Sequence, residues 1–358
     1  MLSSSSTDTF LSLIRLGIGH YSGVLHNDID WQEVETLAAS HGLSAVLIDG
    51  VEQLPDALRP PKMMLLQWIC EVLQNYEQRY AQFKEAIGSL AGFYNQHGCK
   101  MMVLKGFACS IDWPKPEHRP CGDIDIWLFG QYKEADAALV QEKRIKIDKS
   151  HHHHTVFDWR DFMVENHYDF VNVYAEKSSK ELEKLFKELG KDDSHSVVIN
   201  GEKVYLPSPN LHALFLIRHM VSHFVGSNIT LRQVLDWAFF VEKHTKEIDW
   251  NWLQNMLEEY HMKDFFCCIN AICVENLGFP VEIFKTVQFA HSLKEKVLND
   301  IINPAFATES PRGFFKRIAY KYRRWQGNAW KQRLCYNESR WSIFWSGIWA
   351  KVLKPASF

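Results

Sequence analysis

One change of period governs what this chain can fold into. In its first third and again beyond Pro207, apolar residues recur every three or four positions, the spacing of helices buried along one face. Between about residues 97 and 207 they come instead in short blocks or at alternate positions, the spacing of strands. Leu11, Ile14 and Ile18 set the helical period, as do Val34, Leu37 and Ala38, then Leu65, Ile69, Val72, Leu73 and Tyr76. Asp30 is placed to cap a helix from Trp31, with Glu33 three residues on. Pro55, Pro60 and Pro61 mark a connection, and a long helix is expected from about Met63 to Gln96.

Within the central island, Met101–Leu104 reads as a buried strand closed by Lys105-Gly106, with a short helix over Phe107–Ile111. Ile124, Ile126 and Leu128 alternate with Asp123, Asp125 and Trp127 in a half-buried strand. Tyr132–Gln141 is helical, His151–Asp158 and Asp161–Val173 are strand-like, and Ser178–Leu189 is a charged amphipathic helix. Two short strands then flank a hairpin turn at Asn200-Gly201. The expected class is α+β: a small mixed β-sheet core at 97–207, a helical segment at 1–96, a helical bundle at 208–303 and a basic, aromatic-rich helical tail at 304–358.

Composition narrows the function classes. A chain of 358 residues is too long for one compact core, and 46% hydrophobic with 23% charged residues excludes disorder and coiled coil. A net charge of -3 gives no whole-protein field for nucleic acid. No apolar run reaches the roughly 18 residues of a spanning helix, and Met1–Thr9 is Ser-rich without the basic start of a secretory signal. Eight scattered cysteines with no CxxC pair read as reduced thiols of a cytoplasmic protein. From Arg312 to Lys354 eleven Lys/Arg stand against one acid, Glu338, among aromatics that include Trp325, Trp341, Trp345 and Trp349. That tail reads as a terminal helical pair that packs its aromatics and exposes its charges; a membrane or nucleic-acid surface is the rival reading.

The stretch richest in chemistry is Leu104-Lys105-Gly106 followed by Arg119-Pro120-Cys121-Gly122-Asp123-Ile124-Asp125-Ile126. Residues two apart on a strand share a face, so Asp123 and Asp125 lie about 6–7 Å apart and repel unless a cation separates them. Mg²⁺ takes such oxygen ligands and keeps positions open for phosphate oxygens. Glu165, in the later strand-like run Phe162–Tyr168, is placed to join them, and His167 shares its face.

This ordered set resembles the nucleotidyltransferase superfamily that includes DNA polymerase β, in which a Gly-Ser turn precedes a Dx[DE] strand and a third acid follows on a neighbouring strand. More closely, the three motifs are similar to the LKG, R-x-x-GDIDhh and hElHw signatures of a bacterial branch of uncharacterised nucleotidyltransferases, and Leu231-Arg232 with Asp236-Trp237-Ala238 resembles its "lR…Dwa" helix. The likeness spans roughly residues 60–245. It implies a two-metal transferase in which Asp123, Asp125 and Glu165 hold Mg²⁺ against a nucleoside triphosphate, with ATP one candidate, and an acceptor hydroxyl attacks the α-phosphate. The acceptor is open. The resemblance makes Gly106 and the following turn the phosphate cradle, Lys105 and Arg119 its charge partners, Gly122 the clearance before the first acid, and His167 a substrate or outer-sphere contact. One departure stands out: the superfamily's Ser after the Gly is Phe107 here, with Ser110 one turn on as a substitute. The alternative reading is a catalytically degenerate binding or regulatory protein on the same fold.

Other residues are weighed against plainer roles. His151–His154 reads as a wet strand near the cleft with alternate histidines on opposite faces; Zn²⁺ is conceivable, but no Cys or carboxylate follows at site-forming spacing. His219 and His223 have the i, i+4 spacing of zinc proteases, yet Met220 stands where the catalytic Glu would be, so they read as half-buried bundle residues. Arg232 and Asp236, also i, i+4, are placed to pair with each other; a role in closing the nucleotide cleft is the alternative. Arg119 has the second option of pairing with an acid to fix its loop.

Overall fold

A computed structural model describes residues 4–20, 28–174, 176, 178–285, 291–306, 311–339, 341, 342 and 345. Three helices open the chain: α1 (Ser4–Gly17), α2 (Trp31–His41) and α3 (Ser44–Glu52). The Asp30 side chain accepts from the Glu33 N–H at 3.0 Å and caps α2 as expected. The expected long helix is α4 (Lys62–Val72) and α5 (Arg79–Gln96), joined without a break by a π-helical turn, Leu73–Gln78.

The α/β part follows as β1 (Met102–Val103), α6 (Lys105–Ser110), β2 (Ile124–Trp127), α7 (Tyr132–Ala138), β3 (His154–Trp159), β4 (Phe162–His167), α8 (Ser179–Leu189), β5 (Ser196–Ile199) and β6 (Glu202–Tyr205). The six strands form one mixed sheet in the order β3-β4-β2-β1-β6-β5. β2 runs parallel to β4 and antiparallel to β1, and β3 is antiparallel to β4. The β5–β6 hairpin turns at Asn200 (φ 52°) and Gly201 (φ 83°), two positive φ values that suit a type I′ turn. This is the α+β architecture expected, with β3 and β4 shorter than their strand-like sequence runs. β3 begins only at His154, so His151–His153 form a bend rather than a strand with alternating faces.

Beyond the sheet come α9 (Pro209–Gly226), α10 (Leu231–His244), α11 (Trp250–Glu259), α12 (Lys263–Ala271), α13 (His291–Ile302), α14 (Phe314–Gly327) and α15 (Ala329–Cys335). α15 packs Trp330 edge-on against Phe224 of α9 and buries Leu334 and Cys335. α14 does not follow the expected pattern, because Phe315, Ile318 and Tyr322 are exposed. Trp349 lies outside the described residues. All eight cysteines are free thiols, and no described helix is long and apolar enough to cross a membrane.

Strand alternation divides the interior into two cores. Ile124, Ile126, Val164, Phe157 and Phe162 face one side and pack with Phe83, Ile87 and Leu90 of α5. Met102, Trp127 and Tyr205 face the other side and join a core shared by α1–α3 and the C-terminal bundle. The acids of β2 and β4 therefore point away from α5 and toward α9 and α10.

Candidate active site

β2 and β4 pair in a register that puts Asp125 beside Glu165, and neighbouring strands lie about 4.8 Å apart. Asp123 precedes β2 on the same face, and all three acids line a cavity of about 520 Å³ between the sheet and helices α9 and α10. Lys105, Gly106, Arg119, Gly122 and His167 line it too, so the fold gathers eight of the nine residues singled out in the sequence. Ser110 is the exception. It is buried away from this cavity, its hydroxyl donating to the Phe107 carbonyl at 2.7 Å and lying 3.2 Å from the Tyr80 hydroxyl. Phe107 likewise turns from the cavity, stacking on Tyr80 in the core beneath the sheet.

Local geometry explains how Lys105 arrives. The Leu104 N–H donates to the Asp125 carbonyl at 2.9 Å, which stitches the end of β1 to β2. The chain then turns sharply at Gly106 (φ 23°, ψ -95°), a conformation that side chains resist. The Lys105 ammonium thereby reaches Asp125 Oδ1 at 2.7 Å. His167 Nε2 lies 3.0 Å from the same oxygen and 3.6 Å from Glu165 Oε2. Asp125 is only 2% exposed; burial would raise its pKa, but Lys105 and the His167 hydrogen bond hold it below the ordinary value. Burial acts on Glu165 in the same sense, and there too His167 and Lys105 prevail, keeping it a carboxylate. Asp123 differs: burial and the Asp125 charge raise its pKa, and Lys105 only partly offsets them. His167 is pushed up to about 8, because its hydrogen bond to Asp125 and the neighbouring Glu165 carboxylate outweigh burial.

This donor set suits a hard divalent cation. Three carboxylates face one ammonium, and burial together with the Asp125 charge raises the pKa of Asp123 despite Lys105, a cost that a bound Mg²⁺ would relieve. Among the described residues, ligand atoms of Asp125, Glu165 and His167 lie within 4.8 Å of one another.

The helical side of the cavity contains what the sequence concealed. Arg119 does pair with an acid: Asp236 of α10 receives its Nε at 2.7 Å and its Nη2 at 2.9 Å. Asp236 also accepts the Trp113 indole N–H at 2.9 Å, so it is not the partner of Arg232 that i, i+4 spacing suggested. Arg232 lines the cavity with its buried Nε lacking any hydrogen-bond partner. His219 and His223 of α9, read as ordinary bundle residues, also line it, with His223 Nδ1 3.0 Å from the Ser227 hydroxyl. His153 and His154 both reach the cavity, which alternation along a strand would have forbidden. That Asp236 is the partner of Arg119 could be found only by knowing that α10 lies against the loop before β2.

Residues 27–278 match the family described as uncharacterised nucleotidyltransferase. No curated protein matches the chain. Among solved structures, an antigenic nucleotidyltransferase-like protein from Paracoccidioides brasiliensis is similar at 14% identity and a TM-score of 0.36, over 57% of this chain and 96% of that one. With the match covering most of its length, the chain belongs to the uncharacterised nucleotidyltransferase family.

Proposed function

We propose that the protein is a Mg²⁺-dependent nucleotidyltransferase that moves a nucleoside monophosphate from a nucleoside triphosphate to an acceptor hydroxyl and releases pyrophosphate. The observation that carries this reading is the in-register pair Asp125 and Glu165, with Asp123 on the same face, in a cavity also lined by Arg232, whose buried Nε has no hydrogen-bond partner among the described residues. Asp123, Asp125 and Glu165 would hold Mg²⁺, which when bound neutralises phosphate charge and lowers the pKa of an attacking hydroxyl. Arg232 is the cation best placed for the triphosphate, since Arg119 is committed to Asp236 and Lys105 to Asp125. Arg119 then acts by fixing the loop that presents Gly122 and Asp123. The acceptor oxygen would bond to the α-phosphorus as the bond to the pyrophosphate oxygen breaks; Glu165, held ionised, would help hold the metal that lowers the hydroxyl's pKa, and the hydroxyl proton would pass to solvent. A cavity of about 520 Å³ is in the range of small-molecule sites. The cytoplasm, where thiols stay reduced, suits eight free cysteines.

Isothermal titration with Mg²⁺ and each of the common nucleoside triphosphates tests this reading. The wild type should bind at least one of them, and Asp123→Asn/Asp125→Asn should lose that binding. Indistinguishable heats from the two proteins would refute the reading. Phe107, in place of the superfamily's Ser, favours a second reading, a degenerate binding protein; nucleotide binding without pyrophosphate release across a broad acceptor panel would select it.

A further inference from the structure

Beside the carboxylates lies a second group of donors with a different chemistry. His153, His154 and His167 each present one ligand nitrogen, and these nitrogens lie within 4.8 Å of one another. Their ring centroids are 4.3 Å (His153–His154), 5.2 Å (His154–His167) and 5.5 Å (His153–His167) apart. The Nδ1 of His153 and both ring nitrogens of His154 are buried without a hydrogen-bond partner. Buried polar atoms are nearly always satisfied, so orphaned nitrogens on two neighbouring imidazoles that line one cavity point to a missing ligand.

Glu165 completes the set. Its Oε1 lies 3.7 Å from His154 Nε2 and its Oε2 lies 3.6 Å from His167 Nε2. Those separations are too long for hydrogen bonds. They approach the roughly 3.3 Å between neighbouring ligands of a tetrahedral ion with bonds of about 2.0–2.1 Å. The His167 Nδ1 lies 3.3 Å from the Asp169 carbonyl, the outer contact that commonly orients a ligating imidazole, so the ion would take Nε2 in place of its 3.0 Å contact with Asp125. Imidazole nitrogens select borderline first-row ions over Mg²⁺, which takes oxygen.

We propose that His153, His154, His167 and Glu165 form a binding site for a borderline divalent transition ion of the Zn²⁺ type, adjoining the oxygen-donor site and sharing Glu165 with it. The carboxylate that the sequence seemed to lack comes from the neighbouring strand. Occupancy would hold the His151–His153 bend against β4. It would also draw on a carboxylate that the nucleotide site uses, so a filled histidine site competes for Glu165.

The test needs no nucleotide and so stands or falls separately from nucleotidyl transfer. The full chain, stripped with chelator, is titrated with Zn²⁺ in excess Mg²⁺, and the loaded protein is examined by X-ray absorption. The expected result is one tightly held ion per chain with outer-shell scattering from imidazole rings. His153→Ala/His154→Ala should weaken Zn²⁺ binding at least about tenfold. His151→Ala/His152→Ala, which changes the same histidine run outside the donor set, should leave it unchanged. Equal losses in the two double variants would reveal adventitious capture by a histidine run and overturn the proposal. Absence of imidazole scattering in the loaded wild type would overturn it too, with no variant needing to fold.

Discussion

Lys105 carries one positive charge among three carboxylates. Burial works against that charge, yet Asp125, Asp123 and Glu165 together raise its pKa, so it stays an ammonium. In this account Lys105 stands in for part of the charge that Mg²⁺ would supply. Lys105→Met should therefore lower stability in chelator by about 1.5–3 kcal/mol, because it leaves the buried Asp125 carboxylate with His167 as its remaining partner. Millimolar Mg²⁺ should restore the thermal midpoint of the variant more than it raises that of the wild type; an equal rise in both would contradict the assignment. Glu183, behind the cavity wall at Phe170 and Val171, gives a pH signature away from the carboxylate cluster. Burial lifts its pKa from 4.5 to about 7, although the Val171 N–H donates to it at 2.9 Å. The folded state thus holds this proton more firmly than the unfolded chain does. The contribution is complete below about pH 4.5 and is lost as the pH rises through about 7. Glu183→Gln should remove that loss and gain about 2–3 kcal/mol above pH 7, with little change near pH 4, as read from urea unfolding across the pH range. The spacing of Asp123 and Asp125 was visible in the sequence because two-residue alternation is a local rule. The Arg119–Asp236 pair was not, because its partners are separated by 117 residues and meet only through tertiary packing.

At the scale of elements, the segment just before β2 is held from the N-terminal helices. Asp49 of α3 receives both Lys115 and His118, the latter at 2.7 Å, so the loop that leads to Arg119 and Asp123 is tied to α3. α3 in turn crosses α1 closely: a Cβ at Gly50 would lie 2.1 Å from the Leu13 carbonyl oxygen, and one at Gly17 would lie 2.1 Å from that of Val46. Gly50→Ala should therefore force the helices apart and destabilise the protein by about 1–3 kcal/mol. It should also weaken nucleotide binding through the loosened loop, measurable as a lower urea midpoint together with a higher dissociation constant. A fully stable Gly50→Ala protein would show that the crossing is not as close as described. Helices were read well from periodicity because α2, α4 and α5 repeat it over several turns. The strand run at His151–Val173 was overextended, since a bend rich in His and a strand rich in His look alike until neighbours are known. That bend puts His153 and His154 on the same wall, a placement a strict two-residue alternation denies.

For the whole molecule, the decisive feature is that the sheet separates two unlike surfaces. One is covered by α5 with apolar packing; the other meets α9 and α10 around the acids. Helical segments read as flanking the sheet are in fact half of the site, because they contribute Arg232, His219, His223 and Asp236 to the cavity. Catalysis at this site requires Asp123, Asp125 and Glu165 to share a divalent cation that carries a triphosphate. A crystal structure of the wild type with Mg²⁺ and a non-hydrolysable nucleoside triphosphate measures this directly. An ion is expected at about 2.0–2.1 Å from oxygens of Asp125 and at least one of the other two acids, with phosphate oxygens completing its shell and Arg232 against the triphosphate. A nucleotide bound elsewhere, or one bound here with Lys105 still on Asp125 and no ion between the acids, would contradict it.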